Sequence, residues 1–139
     1  MNASSAKPAA GPVVYSNPST LFTPTGPWSI VAEAGPFVFL AGLRGIDPRT
    51  DTLVDDPAGR VAQMFENLRL AAQSIGLGLD SVVRLTVFVT DMAAHRPLVN
   101  DAERACWGDG PYPPRTIVEV AALNQDDFAE VEATLYRPA

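Results

Sequence analysis

Arg115 and the pair Glu130 and Glu132 are the side chains of this sequence best suited to chemistry. Arg115 follows two prolines and opens a strand-like run, where a guanidinium can hold a carboxylate through two parallel hydrogen bonds. The two glutamates are two positions apart in another strand-like run, which places them on one face. Spacing alone favours plainer interpretations: an arginine paired with a surface acid, and a solvated acidic face or a structural pair with Arg84.

Other reactive residue types are scarce. The single cysteine, Cys106, excludes an intrachain disulfide and a CxxC metal knuckle. The single histidine, His95, excludes a multi-histidine metal site and argues against a Ser-His-Asp arrangement. We interpret Cys106 as a core residue, His95 as a surface residue, and Asp56 and Asp91 as helix caps. No metal or cofactor is expected.

Composition narrows the class of protein. The 139 residues carry 10 Lys and Arg against 16 Asp and Glu, a net charge of -6, which argues against nucleic-acid or anionic-membrane partners. The 47% of hydrophobic and 19% of charged residues are typical of a globular domain. The sequence shows neither the roughly 18-residue apolar run of a membrane helix nor a signal-peptide pattern. We therefore expect a soluble, cytoplasmic protein.

The elements that must position these residues follow from turn signals and periodicity. Residues 1–20 are expected to be a flexible tail, with 1–11 mobile, and residues 21–139 a single domain. A Gly-Pro turn at 35–36 predicts a hairpin whose second strand is covered on both faces. The expected elements are strands over 28–34, 37–41 and 52–54, a helix from 56–57 to 76, a strand over 81–90, a helix over 94–107 with Pro97 in its first turn, and strands over 116–120 and 128–136.

The resulting order, βββαβαββ, predicts an α+β fold with two helices on one face of a mixed sheet. In the strand over 81–90, Val83 is placed with the helix-covered residues. The other sheet face then lacks a helical cover. Phe88 and Phe128 are expected on that face, where burial by another subunit would best explain large aromatic side chains.

From about Phe22 to its end, the chain resembles the YjgF/Rid family of enamine and imine deaminases. The matching stretches are Gly26-Pro27-Trp28-Ser29, Phe37 to Gly42, Asp47-Pro48-Arg49-Thr50, Asn67-Leu68, Asp80 to Met92, Pro114 to Val120, Leu123, and Val131 flanked by Glu130 and Glu132. The run from Pro114 to Val120 is the most specific of these.

The resemblance implies a chorismate-mutase-like fold that forms a homotrimer with three clefts between subunits. It implies that Arg115 binds the substrate carboxylate and that Glu130 orients a water. It further implies a cleft bordered by Trp28, Asn100 and the backbone around Gly42 and Ile117. The implied reaction converts a 2-imino or 2-enamino carboxylic acid into the 2-oxo acid and ammonia, without a cofactor or metal.

The chain departs from the family pattern at four positions. Ala41 replaces a common serine, Leu43 a common glutamine, Ile117 a frequent cysteine, and Trp28 a tyrosine. Each change removes a polar atom or adds apolar surface, so we expect a larger and more apolar substrate than 2-aminoacrylate. Ala41 and Leu43 are included among the expected substrate-binding residues.

Two alternatives to a general imine deaminase stay open. The first is a pathway-specific hydrolase or lyase of the same fold that acts on a bulkier or aromatic carboxylate. The second is a non-catalytic, ligand-binding trimer, which would keep Arg115 and tolerate the loss of Glu130.

Overall fold

A computed structural model describes residues 12–139 of the chain, so the predicted mobile segment 1–11 lies outside the described residues. Two 3₁₀ turns, Leu79–Ser81 and Asn124–Asp126, accompany the main elements. The main elements are strands β1 (Val14–Ser16), β2 (Val31–Ala34), β3 (Phe37–Leu43), β4 (Ile46–Asp47), β5 (Thr52–Leu53), β6 (Val82–Val89), β7 (Arg115–Glu119) and β8 (Ala129–Tyr136), and helices α1 (Pro57–Gln73) and α2 (Met92–Trp107).

Six strands form one mixed sheet in the order β1-β2-β3-β8-β6-β7. Only β6 and β7 pair in parallel, and the other neighbours are antiparallel. Strands β4 and β5 form a separate two-stranded ribbon. β7 is thus an edge strand, and Arg115 stands at its start.

Both helices begin where the sequence provides a cap. The Asp56 carboxylate accepts a hydrogen bond from Gly59 N at 2.7 Å, and Pro57 is the first residue of α1. Gly76, with φ of 77°, follows the end of that helix. Asp91 caps α2, which begins at Met92, earlier than expected. Pro97 therefore lies inside α2, and its predicted place in the first turn is wrong.

The helices cover one face of the sheet, which confirms the predicted α+β architecture. α1 packs against β3 and β8, and α2 packs against α1 and β6. The core between these layers includes Leu85, Val87 and Val89 of β6 and Val131 and Leu135 of β8, all of them fully buried. Their alternation places Glu130, Glu132 and Thr134 on the other face, as predicted.

The other sheet face, which we call the open face, carries large exposed hydrophobic side chains. The pairs Phe37–Tyr136 and Phe39–Thr134 place both aromatic residues of β3 there, and Phe39 is 46% exposed. Tyr15 and Val118 extend the apolar surface across the sheet. Within one chain, the expectation that both faces of β3 are covered is therefore wrong, because the helices occupy only one side.

Two strands were not expected. Val14–Ser16 pair antiparallel with β2, so the tail prediction fails at these positions because the edge of β2 offers backbone groups to an extended segment. Ile46–Asp47 pair with the predicted short strand at Thr52–Leu53. The turn between them was predicted, but two residues of strand give too short a pattern to detect.

Three side chains point elsewhere than predicted. Val83 is exposed, since a register shift between Val82 and Arg84 displaces it from the buried row. Phe128 precedes β8 and turns to the helices, stacked on His95 with centroids 4.1 Å apart. Cys106 is exposed rather than core, because only two residues of α2 are buried and its last turn stays accessible.

Candidate active site

Glu130 projects from β8 into a cavity of about 300 Å³ on the open face of the sheet. We call it the Glu130 cavity. Its walls combine apolar and polar side chains, and they include three of the predicted site residues besides Glu130. The lining residues are Phe22, Thr25, Trp28, Ala41, Gly42, Arg44, Ile46, Asn124 and Glu130.

Gly42 lies directly against the Glu130 carboxylate. A Cβ atom at position 42 would stand 2.1 Å from Glu130 Oε2, closer than any real contact allows. The register between β3 and β8 shifts between Leu40 and Leu43, so Ala41 and Gly42 form an irregularity that brings the backbone close to the acid. The Glu130 side chain therefore occupies the space that a side chain at position 42 would need.

Trp28 forms a second wall of the cavity. Its ring lies 6.5 Å from that of Phe22 in a tilted arrangement, and the indole is 36% exposed. An aromatic pair of this kind presents flat apolar surface to whatever occupies the cavity.

A buried ion network stands beside the cavity. Arg44 Nη1 donates to Asp127 Oδ2 at 3.1 Å, and Arg60 Nη1 donates to Asp127 Oδ1 at 3.2 Å. The Asp127 side chain is fully buried and that of Arg44 is 5% exposed. The amide of Asn67 donates to the backbone carbonyls of Arg44 and Ile46, which fixes this part of the chain. Sequence reasoning missed the network; its one local signal was an arginine inside an otherwise apolar run.

The surroundings of Glu130 alter its protonation. Burial raises the pKa of the Glu130 carboxyl above its ordinary value, because desolvation penalises the charged form. The positive charge of Arg44 opposes this rise, whereas the negative charges of Asp127 and Glu132 add to it. A carboxylate with a raised pKa is a stronger base, as general acid–base catalysis near neutral pH requires.

Arg115 lies in a different cavity, which we call the Arg115 cavity. Its Nη1 donates to Asn100 Oδ1 at 2.8 Å and to Glu103 Oε1 at 2.7 Å, and both partners belong to α2. The side chains of Arg115 and Glu103 are 17% and 7% exposed. Tyr112 and Pro113, in the proline-rich loop before β7, also line this cavity. The plainer interpretation of an arginine paired with an acid thus holds, but its acid is buried.

Within one chain, the two cavities lie on opposite faces of the sheet. Arg115 is in register with Leu85, which faces the helices, whereas Glu130 is in register with Phe88 on the open face. The cavities share no lining residue. The structure therefore brings together Trp28, Ala41, Gly42 and Glu130 in one cavity, and Asn100 with Arg115 in the other.

Two further predicted site residues, besides Arg115, face the helical layer. The Leu43 side chain is fully buried in the core, so its predicted contact with substrate is wrong for the side chain. Its register with Val131 explains this, since both residues point to the helices. Ile117 lies two positions after Arg115 on the same side of β7 and packs partly against the core.

Residues 12–139 contain neither a cluster of metal-ligating side chains nor a membrane-spanning helix. This part of the chain has no group of three or more His, Cys, Asp and Glu side chains arranged to hold a metal ion. Within the same range, both helices are too short or too polar to cross a bilayer.

Comparisons with known proteins identify the family. A family model described as endoribonuclease L-PSP matches residues 19–136. The 2-iminobutanoate/2-iminopropanoate deaminase of Salmonella typhimurium is 31% identical over 114 residues, 81% of this chain and 88% of that protein. A RutC family protein of Pyrococcus horikoshii is 34% identical over 115 residues, 82% of this chain and 90% of its own length.

Solved structures agree with this assignment. A Rhodopseudomonas palustris structure described as a "probable translation initiation inhibitor" has a TM-score of 0.86 and 48% identity, and the match covers 91% of this chain and 98% of that one. The sheet and helix arrangement is thus that of the Rid-type α+β fold. The chain belongs to the YjgF/Rid family.

Proposed function

We propose that the protein is an imine and enamine deaminase that hydrolyses a 2-imino carboxylic acid to the 2-oxo acid and ammonia. The observation that carries the proposal is the Glu130 carboxylate, held against Gly42 in a cavity where burial raises its pKa. Relatives named as deaminases, at about 30% identity, support this reaction class.

The proposed site needs two chains, because Arg115 and Glu130 of one chain face opposite sides of the sheet. Arg115 lies on the edge strand β7, where a neighbouring subunit could approach it. The exposed aromatic residues of the open face supply apolar surface for that contact. We therefore propose a homotrimer in which the Arg115 cavity of one subunit meets the Glu130 cavity of the next. Light scattering should give about three times the 14.8 kDa of one chain.

In this proposal Arg115 anchors the substrate carboxylate. Asn100 and Glu103 both bind its Nη1, which leaves the edge formed by Nε and Nη2 for two parallel hydrogen bonds to a carboxylate. The two partners hold the guanidinium plane in place, so little conformational entropy is lost when the carboxylate binds. The negative charge of Glu103 also weakens the attraction between Arg115 and the bound carboxylate. This weakening helps the 2-oxo acid product to dissociate.

Glu130 acts as the general base for the attacking water. It takes a proton from the water as the oxygen forms a bond to the imine carbon, the C=N π electrons move to nitrogen, and Glu130 returns that proton to the nitrogen. The carbinolamine then loses its C–N bond as Glu130 transfers the hydroxyl proton to the departing nitrogen, so that ammonia leaves and the 2-oxo acid remains. A positioned general base contributes roughly 10²–10⁴-fold to such a step, and holding the reactants together contributes further through proximity.

The walls of the Glu130 cavity favour an imino acid with a large apolar side chain. Phe22, Trp28 and Ile46 line a volume of about 300 Å³, which exceeds what a substrate the size of 2-aminoacrylate would fill. A reaction on a bulkier or aromatic carboxylate is therefore the second candidate function. An RNA-cleaving role, suggested by the description of the family model, receives no support from a net charge of -6.

The test generates imines from small and large amino acids with an amino-acid oxidase and follows the initial rate of ammonia release. The protein should accelerate release beyond the oxidase alone, and more strongly for large apolar side chains. R115K should lower kcat/KM at least roughly ten-fold, mainly through KM, because lysine offers a point charge in place of a fork. E130Q should lower kcat, whereas R69K, at an exposed ion pair, should leave both constants unchanged.

The outcomes separate the candidates. A parent protein that accelerates no imine would contradict the proposal. A non-catalytic ligand-binding role would instead give carboxylate binding that R115A abolishes and E130Q leaves unaffected.

A further inference from the structure

Arg44 places a buried positive charge in the wall of the Glu130 cavity. It follows β3 directly, and its side chain lines the cavity together with that of Glu130. A buried arginine needs partners, since an uncompensated buried charge costs several kcal/mol. The partners of the Arg44 guanidinium all come from the segment that precedes β8.

These partners fix the guanidinium group. Nη1 donates to Asp127 Oδ2 and to the Asn124 carbonyl, and Nη2 donates to Gln125 Oε1 at 2.9 Å. Gln125 and Asp126 both adopt left-handed backbone conformations, with φ of 57° and 55°. Three of the five guanidinium N–H groups are thus committed, and Arg44 braces the strained turn that leads into β8.

The network carries a net positive charge on the side of the cavity. Arg44 and Arg60 share one carboxylate, Asp127, so the three side chains sum to one positive charge. The charged groups that act on Glu130 are Arg44, from the end of β3, Asp127, from the turn before β8, and Glu132 of the same strand. Arg44 is the cation among them, and Arg60 meets the opposite oxygen of Asp127 without lining the cavity.

We propose that Arg44 is a positioning residue for the proposed deaminase reaction, whose buried guanidinium, held by Asp127, supplies the fixed positive charge that keeps Glu130 ionised and ready to accept a proton. The inference rests on the proposed function, and it adds a residue that neither the family resemblance nor the sequence motifs single out.

The physical reason lies in what burial does to a general base. Glu130 must be charged before the reaction, yet removal from water favours its neutral form. A ligand and a neighbouring subunit over the cavity would remove more water and increase this penalty. A preorganised cation offsets it without reorganising during the reaction, because its own partners are already in place.

The experiment compares R44M with R60M. Each variant removes one cation from Asp127, but only R44M removes the charge from the Glu130 cavity. The first readout is a ¹³C NMR titration of the Glu130 side-chain carboxyl in the ligand-free protein, which requires no activity. The second readout is the acid limb of the plot of kcat/KM against pH for imine hydrolysis.

In R44M, both the Glu130 titration and the acid limb should move to higher pH, with activity recovered on the alkaline side. In R60M, both should stay where they are in the parent. If R44M does not fold, R44M/D127N is compared with R60M/D127N. Each double variant removes one positive and one negative charge, and again only R44M/D127N removes the positive charge from the Glu130 cavity.

An unchanged Glu130 titration in R44M, or an equal shift in R60M, would overturn the inference. A loss of activity at every pH without movement of the limb would also overturn it, because that is what a purely structural role predicts. A parent that hydrolyses no imine would contradict the proposed function, while the NMR titration would still decide the role of Arg44.

Discussion

Replacing Gly42 by alanine perturbs Glu130 without removing a polar group from the protein. The added Cβ would stand 2.1 Å from Glu130 Oε2, 2.7 Å from Cδ and 3.1 Å from Cγ. All three atoms belong to the Glu130 side chain beyond its Cβ, which can move by rotation about its single bonds. The backbone of Gly42 lies outside the left-handed region, so alanine introduces no backbone strain.

The size of the displacement sets the expected effect. The carboxylate must retreat from 2.1 Å to the 3.4 Å of an ordinary contact, a movement of more than 1 Å. A misplacement of about 1 Å at a reacting group can lower a rate by roughly 100-fold. G42A should therefore lower kcat for imine hydrolysis by roughly that factor while KM for the carboxylate, bound at Arg115, changes little.

Gly45 provides the contrast. A Cβ at that position would meet the Arg60 carbonyl oxygen at 2.2 Å and its carbon at 2.8 Å, and this backbone belongs to α1. Because a helix backbone cannot rotate away, G45A should lower the melting temperature clearly, whereas G42A should melt close to the parent. A G42A protein with parental kcat would refute the placement of Glu130 against Gly42 as the reacting carboxylate.

Three further predictions test the surroundings of the site. D127N leaves the buried Arg44 and the partly buried Arg60 without their counter-ion and should lower the free energy of unfolding by about 3–5 kcal/mol in urea titrations, whereas D101N, at an exposed pair, should cost about 0–1 kcal/mol. Because the pKa of Glu130 is raised in the folded state, the unfolded chain loses the Glu130 proton first, from about pH 4.5 upwards, and the stability of the parent falls until the folded carboxyl has also ionised. E130Q removes this loss, so it should be more stable than the parent at pH values above the folded pKa and equally stable below about pH 4.5. In a Trp107→Phe background, a bound aromatic carboxylate should change the fluorescence of Trp28; saturable binding without a spectral response would contradict its place in the cavity.

Local sequence signals predicted most of the fold. The apolar period of α1, its Asp56 cap and its terminating Gly76 are all encoded within a few neighbouring residues, as is the Gly-Pro turn of the β2–β3 hairpin. The alternation of β8 predicted which side of the strand Glu130 occupies. These signals work because each depends on contacts between residues close in the chain.

What the sequence could not provide was register and long-range charge pairing. Arg44 and Asp127 are 83 positions apart, and no local pattern indicates that one would bind the other. The register shift in β3 decides that Leu43 faces the helices and that Gly42 faces Glu130, and it depends on how β8 pairs. Likewise, Arg115 and Glu130 are both strand residues, but only the sheet order and register reveal that they face opposite sides.

Subunit complementation tests most directly the central claim that one chain supplies Arg115 and its neighbour supplies Glu130. R115A and E130Q proteins, each inactive alone, are mixed one to one, dissociated and reassembled. Every mixed trimer then contains one interface with an intact Arg115 and an intact Glu130, so random assembly should restore about a quarter of the parental imine hydrolysis. Mixed trimers, verified by mass, that stay as inactive as the single variants would contradict a site built between subunits.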